Sequence, residues 1–164
     1  MATPSTTATI REARAEDIPR LLELLLQLSE TSQHPEEEIR PLTDGHRAAL
    51  ERMSADPKAS LFVLEDGGHI VGTYALYVLP NLSHGGRAFA IVENVVVDGT
   101  LRGKGLGRVL MEHAERLARA AGCYKLGLTS NNKRAPAHAF YESLGFDQSH
   151  KGFTMYLGEH ADGE

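Results

Sequence analysis

The chain has 164 residues, a mass of 17.9 kDa and a net charge of −5, with 41% hydrophobic and 24% charged residues. This is ordinary globular composition, enough for one domain over 1–164 with its own core, and the acidic balance argues against a partner bound by bulk attraction to nucleic acid. No apolar run approaches the roughly 20 residues of a membrane span, the N-terminus MATPSTTATI has no secretory pattern, and the single Cys123 cannot close an internal disulfide, so a cytoplasmic protein is expected.

Residues 1–7 read as frayed and residues 9–14 as a first strand. Residues 15–30 read as a helix opened by acids and Pro19, with Ile18, Leu21, Leu22, Leu25 and Leu28 as its buried stripe. The polar stretch 32–42, with two prolines, reads as a loop, and 44–56 as a shorter helix ending before Pro57. The period then changes to two. Residues 60–66, a Gly67-Gly68 turn and residues 69–79 read as a β-hairpin, 80–87 as a loop and 88–97 as a third strand in a row. A helix from about Gly105 to Ala121 follows, then a strand at 124–130 and a helix at 134–145 that Gly145 stops. Residues 152–157 (GFTMYL) read as a last strand, and 158–164 as a solvated tail. The order β-α-α-β-β-β-α-β-α-β predicts a mixed sheet with helices on both faces, an α/β or α+β domain.

Positive charge is concentrated in one place. Between Gly99 and Ala135 there are eight Lys/Arg against two Glu, a local +6 that leaves −11 for the remainder. The centre of this region is VVVDGTLRGKGLGR, residues 95–108, a glycine-rich bend between a strand and a helix. Glycines permit positive φ and let a ligand reach the backbone amides, and a helix start offers unpaired N–H groups and the positive end of its dipole. With Arg102, Lys104 and Arg108 beside it, the bend is a candidate site for a phosphate-bearing ligand. No window matches the nucleoside-triphosphate loop G-x-x-x-x-G-K-[ST], and Gly103, Gly105 and Gly107 run G-x-G-x-G rather than the dinucleotide G-x-G-x-x-G. Taken alone, the segment also fits a glycine-rich turn with solvated basic residues.

Two further matches decide between these. Arg102-Gly103-Lys104-Gly105-Leu106-Gly107 fits [QR]-x-x-G-x-[GA], and RAPAHAFYESLGF, residues 134–146, fits A-x-x-[FL]-Y-x-x-x-G-F, one helix and one strand downstream. In this order and spacing they resemble the acyl-CoA signature and closing segment of the GNAT superfamily of N-acetyltransferases, over roughly residues 60–157. The resemblance implies a mostly antiparallel mixed sheet of about six or seven strands flanked by about four helices, with two strands splayed at the acyl-CoA site. It also implies acetyl-CoA as cosubstrate, direct transfer of acetyl to an amine of a small molecule or peptide, and no metal. The eight histidines show no ligand spacing either.

Residue by residue, the resemblance lays the pantetheine arm along Val95, Val96 and Val97, and the pyrophosphate on the amides from Arg102 through Gly103, Lys104, Gly105, Leu106 and Gly107 to Arg108. Tyr141 matches the tyrosine that protonates the departing thiolate, a sensible acid for a leaving group of similar basicity. Glu93, a carboxylate in the apolar run IVENVVV, is either a solvated strand residue or the base that deprotonates the acceptor. Members often carry Asn seven residues before the tyrosine. Here that position is Arg134, which reaches instead toward a CoA phosphate, while Asn131 lies further upstream. His138 is either a surface histidine or a cleft residue, and Cys123 packs as a small hydrophobe. A catalytically silent acyl-CoA sensor competes with the enzyme. The family admits a homodimer, but no apolar patch legible in the sequence marks its interface.

Overall fold

The computed structural model describes residues 8–29, 42–131, 133–155 and 157. The frayed start 1–7, the tail 158–164 and all but Leu42 of the expected 32–42 loop lie outside them. Five strands form one sheet in the order β1 to β5: β1 (Thr9–Glu12), β2 (Ala59–Asp66), β3 (His69–Leu79), β4 (Phe89–Val97) and β5 (Leu126–Leu128). The first three pairings are antiparallel and β4 with β5 is parallel. Four helices accompany it: α1 (Ile18–Ser29), α2 (Asp44–Ala55), α3 (Leu106–Ala120) and α4 (Ala135–Ser143), with a four-residue turn at Ser83–Gly86 whose His84 and Gly85 are left-handed.

Among the described residues the expected six or seven strands are thus corrected to a mixed sheet of five, with three antiparallel pairings and one parallel. Residues 151–155 and Leu157 form no strand, because their backbone finds no partner among the described residues. Strand 124–130 shortens to three residues for the same reason: β4 alone pairs with it. The hairpin turn is as expected, with Gly67 and Gly68 at φ 58° and 80°, the two positive values that a tight turn between twisted strands requires.

The two sheet faces are covered separately. On one face Leu106, Leu110, Met111, Ala114 and Ala118 of α3 pack on Tyr74 and Leu76 of β3 and on Ala90 and Val92 of β4. Gly72 permits this close approach, since a Cβ there would meet the Val96 carbonyl oxygen at 3.1 Å and Leu110 Cδ1 at 3.2 Å. The other face buries Val63, Ala75 and Val96, and α1 packs against β3 and β4 there. On α1 the fully buried residue is Leu24, at 0% exposure, with Ile18 and Leu21. The expected Leu22, Leu25 and Leu28 are only half-buried, because the helix presents its 18-21-24 row to the sheet. Beneath α3, the Tyr74 hydroxyl and His113 Nδ1 share a 2.6 Å hydrogen bond, with Phe62 edge-on to the imidazole at 4.9 Å.

Burial, and secondarily Arg116, holds the His113 pKa below its ordinary value. A histidine kept neutral in the fold but free to protonate when unfolded contributes fully above the unfolded value near ~6.5. That contribution is lost as pH falls from there toward the lower folded value. Thermal unfolding should therefore show a steeper loss of Tm between about pH 7 and 5 for the native chain than for His113→Asn. Equal slopes would remove His113 from the account.

Candidate active site

The glycine-rich bend is held from outside. Asp98 accepts hydrogen bonds from the Thr100 backbone N–H at 3.0 Å and the Thr100 hydroxyl at 2.8 Å, and pairs with the Arg20 guanidinium. These partners, the Thr100 bonds first, bring its pKa down to about 2. Arg20 also donates to the Ile70 carbonyl at 3.1 Å and to Glu23 at 2.8 Å, and Gln27 Oε1 accepts from the Gly99 N–H at 2.8 Å. Helix α1 is thereby pinned to the bend at two points about two turns apart. Gln27, Asp98, Gly99, Thr100 and Arg102 line an open cavity of about 330 Å³ between them.

Beyond this anchor the glycines divide by function. Gly103 and Gly105 stand at φ 81° and 78°, where a side chain is strained, and Gly105 caps α3. Gly107 is there for packing: a Cβ would sit 3.1 Å from Phe140 Cζ, so α4 rests on the first turn of α3 through this position. Buried Leu106 fixes that turn in the core. The first amides of an α-helix have no intrahelical acceptor. They face the bend together with the exposed side chains of Arg102, Lys104 and Arg108, the last of which lies 3.8 Å from Glu112.

Strand β4 leads into the bend, and its pairing with β5 ends early. The parallel register runs Ala90 with Leu126, Ile91 with Gly127 and Val92 with Leu128, and no described residue pairs with β4 beyond it on that side. On the β3 side the register steps from Ala75–Glu93 to Thr73–Val96, so β4 carries an extra residue, a bulge at Asn94 and Val95. Asn94 takes φ 54°, a left-handed value that asparagine tolerates better than most residues. Val95 and Val97 then pack against the α3-side core, and Val96 turns to the α1 side.

The two candidate catalytic side chains belong to different faces of the sheet. Glu93 is cross-strand to Ala75 and shares a face with Ile91, the α1 side of the sheet. It is half-buried, makes no hydrogen bond or ion pair with another described residue, and burial raises its pKa. Tyr141 belongs to the margin of the opposite, α3-side core, with Phe146 edge-on at 5.9 Å. Burial raises the Tyr141 pKa and keeps the phenol protonated, with Arg134 pulling the other way. The two therefore lie on opposite faces of the sheet.

The remaining expected site residues cluster before α4. Arg134 caps α4, and its N–H donates to the Asn131 carbonyl at 2.9 Å. His138 is half-buried, and its Nε2 lies 3.0 Å from the Asn131 carbonyl oxygen. Cys123 follows the end of α3, and burial raises its pKa, away from a reactive thiolate.

Sequence reasoning missed four participants. Arg20, Gln27 and Asp98 meet only in the fold, across 78 and 72 residues of chain. The fourth is Ser130, just past β5, whose buried hydroxyl has no hydrogen-bond partner among the described residues. The signal that was present is Asn94, a turn-former inside an apolar strand.

This arrangement has counterparts among known proteins. The family model described as "Acetyltransferase (GNAT) family" matches residues 18–146. The chain belongs to the GNAT acetyltransferase family. The glucosamine 6-phosphate N-acetyltransferase of Trypanosoma brucei brucei is 36% identical to it over 84% of this chain and 87% of that one. The aminoalkylphosphonate N-acetyltransferase of Salmonella typhimurium is 32% identical over 90% of each. A solved structure described as a transcriptional regulator from Bacillus halodurans C-125 superposes with a TM-score of 0.83 at 31% identity, covering 92% of this chain and 99% of that one. The GNAT chain is thus an acyltransferase by family. Among the described residues, no helix is long and apolar enough to cross a membrane.

The Asp98 anchor yields a prediction. Asp98→Ala releases Thr100 and leaves Arg20 without this partner, loosening the bend without touching the first turn of α3. The KM for acetyl-CoA should rise about tenfold, the scale of a lost charged hydrogen bond, with kcat little changed. An unaltered KM would show that the bend keeps its shape without the anchor.

Proposed function

We propose that this GNAT protein acts in the cytoplasm as a single domain and transfers acetyl directly from acetyl-CoA to the primary amine of a small anionic molecule. The observation that carries the proposal is the gap between β4 and β5, with Glu93 on one face, Tyr141 on the other and the glycine bend at its end. Arg102 through Arg108 hold the pyrophosphate with backbone amides and nearby positive charge. The free backbone groups of Val95 to Val97 hold the pantetheine arm, and Asn131, Arg134 and His138 border it from the α4 side.

Transfer then follows from the two faces. Glu93 takes a proton from the acceptor's ammonium group, and burial, by raising its pKa, makes it a stronger base than an exposed carboxylate. The amine nitrogen attacks the thioester carbonyl carbon. Tyr141 gives its proton to sulfur as the C–S bond breaks, and the proton shed by the new amide nitrogen leaves to solvent. No acyl-enzyme is formed, in keeping with the elevated Cys123 pKa.

Support for an anionic acceptor comes from two sides. The Trypanosoma and Salmonella relatives are named for amines that bear phosphate or phosphonate. In this chain Lys125 Nζ lies 5.4 Å from the Phe89 ring. Phe89 shares a face with Glu93, about 13 Å away along the strand. Arg87 lies nearby, bound to the Cys123 carbonyl at 3.2 Å.

Tyr141→Phe should lower kcat by about 10²-fold with the KM for acetyl-CoA within about threefold. Full turnover by that variant with every acceptor would remove the assigned acid. Glu93→Gln should lose at least about tenfold in kcat at pH 7. Because the base works deprotonated, activity rises with pH through the elevated Glu93 pKa, and the variant should lose this acidic limb; a limb that persists belongs to another group. Lys125→Ala should raise KM for phosphorylated or phosphonated amines about tenfold and leave neutral amines unaffected. Equal effects on both classes would count against the anionic acceptor.

One observation favours a second reading, a sensor that binds acyl-CoA without transfer: the Bacillus neighbour is described as a regulator. Calorimetry with acetyl-CoA followed by an amine panel separates them. Tight binding with no acetylated product from any amine would select the sensor.

A further inference from the structure

We propose that Tyr77 is a specificity-determining residue for the acceptor, and that its hydroxyl recognises a hydroxyl group carried close to the acceptor's amine. The assignment rests on the transfer reading above, through Glu93. Strand β3 carries two tyrosines three residues apart, and their surroundings differ. Tyr74 is fully buried in the α3-side core, and its hydroxyl shares a 2.6 Å hydrogen bond with His113. Tyr77 is half-buried and makes no hydrogen bond, ion pair or ring contact with another described residue. Its hydroxyl is not shut away from solvent as that of Ser130 is. A phenol with its ring partly covered and its oxygen open is placed to take a partner from outside the chain.

Strand register says what stands beside it. Tyr74, Leu76 and Val78 belong to the α3-side core, so alternation turns Ala75, Tyr77 and Leu79 to the other face. On β4 their cross-strand partners are Glu93, Ile91 and Phe89 respectively. Tyr77 is therefore the diagonal neighbour of both Glu93 and Phe89, each about 7–8 Å away, a separation that an aromatic side chain spans. Helix α1 is bonded at the opposite end of this face, to Ile70, Asp98 and Gly99. At the Tyr77 end, Leu79, Phe89 and Ile91 are half-buried, like Tyr77 itself.

The chemistry follows from that placement. An acceptor whose amine meets Glu93 lays its next few atoms over Ile91 and Tyr77. The ring offers an apolar floor for carbon, and the phenol oxygen both donates and accepts. Another hydroxyl does the same and so matches it, whereas an anionic group is drawn to Lys125, beside Phe89. An amine with a bare carbon backbone would use the floor and leave the Tyr77 hydroxyl to water. A neutral hydrogen bond in a partly wet site is worth about tenfold in affinity.

The test uses two probes that differ by one hydroxyl, (2-amino-1-hydroxyethyl)phosphonate and (2-aminoethyl)phosphonate. Each is titrated calorimetrically into the CoA-saturated protein and assayed for acetylation with acetyl-CoA. The native chain should favour the hydroxylated amine about tenfold in Kd and in kcat/KM. Tyr77→Phe should lose this preference by weakening the hydroxylated probe alone, with Tm and the KM for acetyl-CoA unchanged. A native chain that binds both probes equally, or neither, overturns the proposal. So does a variant that keeps the preference or weakens both probes alike. Preferential binding with no acetylated product would uphold Tyr77 and remove the transferase reading. Acetylation of both probes at equal rates would do the reverse.

Discussion

Strand β4 loses its neighbour halfway along its length, and much else in the molecule follows from that. Up to Val92 it is an interior strand with hydrogen-bonded partners on both sides. From Glu93 onward, one row of backbone N–H and C=O groups has no strand to meet among the described residues, and such groups are costly unless water or a ligand satisfies them. The bulge at Asn94 and Val95 shifts the alternation at the same point, so the strand changes which side chains it shows to each face just where the gap opens. A carboxylate ends up on one side and a phenol on the other, and the sheet itself keeps them apart.

The gap is useful only if its far end is rigid, and helix α1 provides this. Arg20 at the start of the helix and Gln27 near its end both bind the bend, one through Asp98 and the other through the Gly99 amide. The same helix covers the Glu93 face of the sheet. In the proposed function, the element that walls the acceptor side therefore also braces the donor side, and a change in either would be felt by the other. Gly107 plays the matching part on the opposite face, since its contact with Phe140 seats the tyrosine-bearing α4 on the first turn of α3.

The sheet's other end obeys a different constraint. Among the described residues β5 is a three-residue strand with one neighbour, a weak margin for a fold, and an alternating apolar pattern follows it in the chain. Period-two patterning specifies which side chains want a common buried face. It does not supply that face.

The local features were legible in the sequence because they depend on residues close together in the chain. The hairpin followed from Gly67-Gly68 between apolar runs, the anion-binding bend from its glycines and basic residues, and the family from two short motifs at fixed spacing. What the tertiary structure decided was every relation across long separations. It rotated α1 so that Leu24 rather than Leu25 is fully buried, joined Arg20 and Gln27 to the bend, left the Ser130 hydroxyl without a partner among the described residues, and set Glu93 and Tyr141 on opposite faces. It also formed no strand at residues 152–155 and 157, where the pattern promised one. Periodicity and turn chemistry act over a few residues, whereas pairing register, helix rotation and charge partners are settled by packing that no local stretch of sequence contains.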